Sequence, residues 1–189
     1  MHRTIILYIF CVFAFAKANF IHAQSFSKDP LQTNDSIQQQ RWVDSVYTSL
    51  TDRQKVAQLF MVDLFSNKGT AHVDHRVRKL VADYQIGGVI FSKGGPVQQA
   101  HFTNELQSKS KTPMLIAMDA EWGLSMRLDS TYAFPWNMTL GASLSTQPSY
   151  QVGERIGEHC KRLGVHINFA PDVDINTNPD NPIIGNRSF

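Results

Sequence analysis

Charged side chains follow directly after an apolar run in the middle of the chain. Residues 114–118 are apolar without interruption, a pattern typical of a parallel strand covered on both faces, and Asp119, Glu121 and Arg127 come next. Polar groups at the carboxyl end of a buried strand lie where α/β proteins build their sites, because the strand holds them while the loop varies freely. This stretch is therefore the first candidate for chemistry.

Two further predicted strands also end in polar residues. Ser92 and Lys93 follow one of them, and Asp172 and Asp174 follow the other. A carboxylate can accept hydrogen bonds from two sugar hydroxyls, and Arg127 would offer a rigid fork of donors, so such a set suits a polyhydroxylated ligand. The alternative is a network of structural ion pairs across the rim, and residue types alone do not decide between the two.

Other classes of site find little support in the sequence. His72 and His75 have no third metal ligand near them, and His166 lies in a predicted strand, where a hydrogen-bonded core histidine is the better explanation. The loop at residues 92–96 lacks a complete nucleotide-binding fingerprint, and no Gly-x-Ser-x-Gly motif for acyl transfer occurs. We therefore expect neither a metal ion nor a cofactor.

The first 23 residues predict a secretory signal. Arg3 precedes an apolar run over residues 5–16, which is too short to span a bilayer stably, and Ala23 ends a small-residue cleavage site. An uncleaved amino-terminal anchor is the alternative. We expect residues 1–23 to be removed, leaving a secreted or periplasmic protein with no membrane association.

Charge and cysteine content narrow the function further. Beyond residue 23 the chain has 16 basic and 16 acidic residues, so it carries no electrostatic footprint for nucleic acid. Cys160 is then the only cysteine, which excludes an intrachain disulfide and favours a role as a small core hydrophobe.

The remaining pattern alternates between strands and helices. Residues 24–49 predict a polar leader with a helix from Ile37, and Thr51 and Gln54 match a capping box. Helices are predicted at 73–84, at 97–108 with an apolar stripe of Val97, Ala100 and Leu106, and at 148–163 before a left-handed cap at Gly164. Strands are predicted at 59–62, 88–91, 114–118 and 165–170. The alternation indicates a parallel sheet with right-handed crossovers, either half of a (β/α)₈ barrel or an open doubly wound sheet.

Six stretches, taken in order, resemble the N-terminal domain of glycoside hydrolase family 3. They are QKVAQLFM at 54–61, IGGVIF at 86–91, DAEWG at 119–123 followed by Arg127, FP at 134–135 with LGA at 140–142, NFAP at 168–171 with Asp174, and NPIIGNRSF at 181–189. The last motif is the most specific.

The resemblance implies a TIM-type (β/α)₈ barrel that hydrolyses β-linked sugars with retention, through an aspartate nucleophile. Residues 50–189 would form only the first half of that barrel, about four β/α units, without its C-terminal half. Asp119 would hold hydroxyls of the sugar at the cleavage site, and Arg127 and Arg187 would bind the same sugar. Retaining hydrolysis needs two groups about 5 Å apart, and we expect both to lie beyond residue 189, so that the chain alone contains no catalytic residue and is inactive.

Within the family, the Asp119 to Arg127 spacing resembles the β-N-acetylhexosaminidase branch, whose substrate is a terminal β-linked GlcNAc. A β-glucosidase of the same family is one alternative, and a non-catalytic, truncated sugar-binding protein is another. Where the family commonly has Glu-Gly-Gly, this chain has Glu121, Trp122 and Gly123. We expect a stacking or packing role for the Trp122 indole.

Overall fold

A computed structural model describes residues 35–67 and 71–189 of the 189-residue chain. The chain divides between Asp44 and Ser45 into two units. The predicted signal and most of the leader lie outside the described residues. Helix α1 (Ser36–Ser49) begins one residue before the predicted position. Within the described ranges, no helix is long and apolar enough to cross a membrane.

The capping box predicted at Thr51 is present at the start of helix α2 (Asp52–Ala57). The Thr51 hydroxyl accepts the Gln54 N–H at 3.3 Å, and the Gln54 side-chain oxygen accepts the Thr51 N–H at 3.0 Å. Two backbone donors that the helix itself cannot satisfy are therefore paired locally, as the prediction required.

The core of the second unit is a parallel four-stranded sheet in the order β1-β2-β3-β4, with β1 at Met61–Phe65, β2 at Gly88–Lys93, β3 at Leu115–Met118 and β4 at Ile167–Asn168. Each new strand is added on the same side, without the reversal of a doubly wound sheet. The connecting helices are α3 (Ala71–Lys79), which continues as a π-helical turn (Leu80–Tyr84), α4 (Pro96–Lys109), the short α5 (Asn137–Gly141) and α6 (Gln147–Arg162). The predicted alternation and parallel pairing are confirmed.

The predicted boundaries differ from the observed ones in all four strands, and the differences are largest at β1 and β4. β1 begins at Met61, because the N–H groups of Leu59 and Phe60 bond back to Val56 and Ala57 and make a turn there. The strand predicted over residues 165–170 shortens to two residues, since only the last two residues of β3 pair with β4. Strand length depends on the neighbouring strand, which an apolar run alone does not reveal.

The buried face of α4 also differs from the predicted stripe. Leu106 is buried as expected, but Val97 is exposed, and Gln99, Phe102 and Thr103 complete the buried face instead. Gln99 is polar yet fully buried, so the buried face of α4 cannot be identified from a hydrophobicity pattern. The sequence also gave no signal for α5, which lies in a segment predicted to be loop.

The stripe of α6 is confirmed, with Ile156 and Cys160 in the core and Gly164 in the left-handed conformation at φ +73°. Burial raises the pKa of the Cys160 thiol. At the end of the π-helical turn, Gln85 adopts a positive φ of 57°, and its side chain donates to the Val81 carbonyl and accepts the Lys111 N–H. These bonds hold a conformation that is normally left to glycine.

Candidate functional site

Asp119 and Arg127 form an ion pair just past the carboxyl end of β3. The Arg127 Nη2 donates to the Asp119 Oδ2 at 2.5 Å, and the two side chains remain 29% and 32% exposed. The Arg127 Nε is buried and has no hydrogen-bond partner in the part of the chain that the structure describes, so the exposed surface of the guanidinium lies elsewhere on the group. The pair therefore offers both a carboxylate and a guanidinium to a molecule at the rim of the sheet.

Backbone hydrogen bonds hold this pair from both sides. The Asn168 side chain, in β4, accepts the Ala120 N–H at 2.9 Å and donates to the Ala120 carbonyl at 3.4 Å. On the β2 side, the Gly94 N–H donates to the Arg127 carbonyl at 3.0 Å, and the Asp129 N–H donates to the Gly94 carbonyl at 2.8 Å. The loop between Asp119 and Arg127 is thus tied to the strands on either side of β3.

Arg187 lies in a second charged cluster. Its Nε and Nη2 donate to the two carboxylate oxygens of Glu121 at 2.9 and 2.8 Å, and Nη2 also lies 2.8 Å from the Asp172 Oδ2. The carboxylate side chains are 6% and 4% exposed, whereas that of Arg187 is 31% exposed. The hydrogen bond to Glu121 raises the pKa of Arg187, so this side chain remains a cation.

The charged residues that follow the predicted strands therefore separate into two kinds. Glu121 and Asp172 are buried in ion pairs with Arg187, as the alternative of structural ion pairs predicts for these two carboxylates, while Asp174 stays exposed. The second kind is the Asp119 and Arg127 pair, which is held by hydrogen bonds to its loop backbone and whose two side chains remain partly exposed.

A cavity of about 630 Å³ lies beside Arg127, and Ser92, Lys93 and Asp129 contribute to its wall. The Ser92 hydroxyl, near the end of β2, donates to the Asp63 carboxylate in the middle of β1. Sequence reasoning missed Asp63, although a single acidic residue inside an apolar strand is a signal that could have revealed it. Ser92 belongs to the rim, as its position after the predicted strand implied.

Two tryptophans pack together beside the Arg187 cluster. The Trp122 and Trp136 ring centroids are 4.1 Å apart with an interplanar angle of 43°. The Trp122 carbonyl accepts the Phe134 N–H at 3.0 Å, and the Asn137 side chain donates to the Arg187 carbonyl at 2.7 Å. The packing role expected for Trp122 is therefore present.

The histidine interpretation was half right. His166 is hydrogen bonded, because its Nδ1 accepts the Ile116 N–H at 3.0 Å, but it is exposed and does not lie in the core. Among the side chains that the structure describes, no group of three His, Cys, Asp or Glu is arranged to hold a metal ion.

Known proteins are similar to the part of the chain that contains the sheet and the loops at its rim. The model of the glycosyl hydrolase family 3 N terminal domain matches residues 51–189. The chain is 39% identical over 124 residues to beta-hexosaminidase A of Pseudoalteromonas piscicida, covering 59% of this chain and 21% of that protein. It is 28% identical over 148 residues to a beta-N-acetylglucosaminidase/beta-glucosidase of Cellulomonas fimi, covering 78% of this chain and 25% of that protein.

Two solved structures are also similar to the chain. The family 3 beta-N-acetylglucosaminidase of Paenibacillus sp. str. FPU-7 has a TM-score of 0.63 and 38% identity over 74% of this chain and 27% of that one. The beta-glucoside phosphorylase BglX bound to 2FGlc has a TM-score of 0.72 and 27% identity over 80% of this chain and 27% of that one. The chain thus spans between a fifth and about a quarter of these four proteins. From residue 51 to residue 189, it belongs to glycosyl hydrolase family 3 through the N-terminal domain of that family.

Proposed function

We propose that this chain is the amino-terminal part of an exported, retaining β-N-acetylhexosaminidase that removes terminal β-linked GlcNAc. Residues 1–23 are its secretory signal, and residues 50–189 supply the first half of a (β/α)₈ barrel. The nucleophile, the general acid and the second half of the barrel come from polypeptide beyond residue 189.

The observation that carries the proposal is the Asp119 and Arg127 pair. A carboxylate and a guanidinium 2.5 Å apart, each about one-third exposed, can accept from and donate to neighbouring hydroxyls of one sugar ring. Such contacts favour catalysis if they strengthen as the ring distorts toward the transition state. The role of the pair is to hold the sugar, without proton transfer or nucleophilic attack.

Arg187 has a second role in this proposal. Its guanidinium is already bonded to Glu121, to Asp172 and to the Ile183 carbonyl, but its side chain is still 31% exposed. An arginine has five N–H donors, so it can keep these bonds and still donate to a sugar hydroxyl. The buried carboxylates would then orient Arg187 for binding.

The names of the relatives support the choice of substrate. The Pseudoalteromonas protein is named beta-hexosaminidase A, and the Paenibacillus structure is a beta-N-acetylglucosaminidase. The sheet order β1 to β4, which adds each strand on one side, supports the first half of a barrel. In that arrangement β1 and β4 would pair with strands supplied by the later polypeptide.

A β-glucosidase is the second candidate. It is supported by the name of the Cellulomonas relative, which combines both activities, and by the TM-score of 0.72 to a beta-glucoside phosphorylase. A non-catalytic sugar-binding protein is the third candidate, which would bind GlcNAc without turnover.

The deciding experiment uses two proteins, the longer polypeptide that contains residues 24–189 and this segment alone. Each is assayed with an aryl β-N-acetylglucosaminide and with the matching aryl β-glucoside. We expect the longer protein to hydrolyse the first substrate faster, and the short segment to hydrolyse neither. Faster glucoside hydrolysis would establish the second candidate, and any turnover by the short segment would contradict the absence of its catalytic groups.

A further inference from the structure

Asp63 and Ser92 form a side-chain hydrogen bond across the first two strands of the sheet. Asp63 is the acidic residue in the middle of the otherwise apolar β1, and Ser92 lies near the end of β2. The Ser92 hydroxyl donates to the Asp63 carboxylate, and both side chains are half-buried. A carboxylate is costly to bury, so its place in this strand needs a physical reason.

The bond is not needed to join the two strands. β1 and β2 are already paired through their backbones from Met61 to Phe65. In addition, two apolar side chains of similar shape can often replace a hydrogen-bonded pair with little loss of stability. Stability alone therefore does not account for Asp63 and Ser92.

The register of the strands brings Ser92 to the level of the proposed sugar contact. Asp63 pairs with Ile90, and Ile90 pairs with Ala117. Ser92 is two residues beyond Ile90, and Asp119 is two residues beyond Ala117. Since side chains repeat every two residues along a strand, Ser92 lies on the face of Asp63 and level with Asp119.

Ser92 also lines the cavity beside Arg127, the residue that is paired with Asp119. A serine hydroxyl has one hydrogen and two lone pairs, and Ser92 gives its hydrogen to Asp63. Toward a molecule in the cavity, the Ser92 oxygen can therefore only accept a hydrogen bond. The negative charge on Asp63 polarises the O–H bond and makes this oxygen a better acceptor.

We propose that Ser92 accepts a hydrogen bond from one hydroxyl of the bound sugar, and that Asp63 is the positioning residue that fixes this direction. The inference rests on the proposed function, because it adds a contact to the sugar held by Asp119 and Arg127. Its consequence is specificity: the site selects a free hydroxyl at one position of the sugar over a substituent that has no hydrogen to donate.

The test uses the longer polypeptide that contains this chain and four substrates, an aryl β-N-acetylglucosaminide and its 3-, 4- and 6-deoxyfluoro analogues. Fluorine replaces a hydroxyl without a hydrogen to donate. The ratio of wild-type to Ser92→Ala kcat/KM is taken for each substrate separately, so that the effect of fluorine on the reactivity of the glycosidic bond cancels. We expect a ratio of about 3 to 10 for the parent and for two analogues, and a ratio near one for the analogue that lacks the partner hydroxyl.

Two variants separate this contact from a purely structural role. Ser92→Thr keeps the hydroxyl and suits a strand, so it should behave as wild type with all four substrates. Ser108→Ala, which removes an exposed hydroxyl from α4, is the matched control and should do the same.

Asp63→Val tests the positioning role, and it keeps the proposal testable if Ser92→Ala does not fold. Valine suits a strand, and its loss of the acceptor frees the Ser92 hydrogen to turn toward the cavity. This variant should discriminate about threefold less than wild type between the parent and the analogue that lacks the partner hydroxyl. Discrimination equal to that of wild type would remove Asp63 from the proposal.

Two kinds of failure are distinct in this design. If the wild-type protein hydrolyses neither the parent substrate nor the matching aryl β-glucoside, the proposed function is wrong. If it hydrolyses the parent and Ser92→Ala gives the same ratio for all four substrates, the Ser92 contact is wrong while the function stands. If the β-glucoside is preferred, the deoxyfluoro glucosides replace the four substrates, and the same ratios decide.

Discussion

Arg187 donates two hydrogen bonds, of 2.9 and 2.8 Å, to the carboxylate of Glu121, and the two residues lie 66 positions apart in the sequence. The contact joins the loop after β3 to the segment near the end of the chain. Asp172, which follows β4, completes the cluster at 2.8 Å. A single guanidinium therefore connects three segments and places the loop of Asp119 relative to β4.

Removal of the Arg187 charge should destabilise the protein strongly. Arg187→Gln leaves two buried carboxylates without their cation, a change that costs about 3 kcal/mol or more in buried ion pairs. Arg155→Gln is the control, because its pair with Glu158 is exposed and its loss should leave the free energy of unfolding close to that of wild type. Urea unfolding of both variants measures the difference, and equal free energies of unfolding would contradict a structural role for the Arg187 cluster.

The Asp119 and Arg127 pair should affect activity more than stability. Asp119→Asn removes charge-assisted hydrogen bonds to the sugar, which predicts a fall in kcat/KM of about 10 to 100-fold in the longer polypeptide. Because both side chains are partly exposed, the free energy of unfolding should change by less than about 1 kcal/mol.

Glu154→Gln, on α6, is the control for the loss of one carboxylate charge. It should leave kcat/KM and stability unchanged. A normal kcat/KM in Asp119→Asn would remove this residue from the proposed sugar site.

Gly87 should tolerate no side chain. A Cβ at this position would lie 1.9 Å from the Gln58 carbonyl oxygen, and backbone atoms cannot move aside cheaply. We therefore expect Gly87→Ala to lower the free energy of unfolding by several kcal/mol, on the order of 3 kcal/mol. The matched change is Gly153→Ala in α6, where nothing lies within 4 Å. That variant should be more stable by about 0.5–1 kcal/mol, because alanine favours the helix. Thermal melts measure both variants. A higher melting temperature for Gly87→Ala than for Gly153→Ala would contradict the close approach at Gly87.

Glu105 should make stability depend on acidic pH. Hydrogen bonds from Arg78 and from Lys109 lower the pKa of Glu105 to about 2. In the unfolded chain the Glu105 carboxyl titrates near pH 4.3. The charged Glu105 carboxylate therefore stabilises the fold above that pH, and this contribution is lost as the pH falls from about 4.3 to about 2. We expect Glu105→Gln to melt at a lower temperature than wild type at pH 7, by an amount that narrows across this window.

The control for this pH dependence is Glu158→Gln, which removes an exposed pair on α6. Its melting temperature should stay close to that of wild type at every pH. A gap between wild type and Glu105→Gln that stays constant from pH 7 to pH 2 would show that Glu105 does not stabilise through its charge.

The sequence by itself determined the features that depend on neighbours within one helical turn. The Thr51 capping box and the left-handed Gly164 were both predicted correctly. Each rests on hydrogen bonds or backbone angles within a few residues, which local residue types control. The strand and helix alternation follows from periodicity in the same way, and it led to a parallel sheet.

Only the tertiary structure decided which charges pair and which stay open. Asp119 and Glu121 look alike as acidic residues after one strand, yet Glu121 is buried against Arg187 while Asp119 remains partly exposed beside Arg127. The tertiary structure also decided the length of β4 and the burial of Gln99, because strand length and the buried face of a helix depend on the element packed alongside. These outcomes come from contacts between residues far apart in the chain, and no local pattern of residue types encodes them.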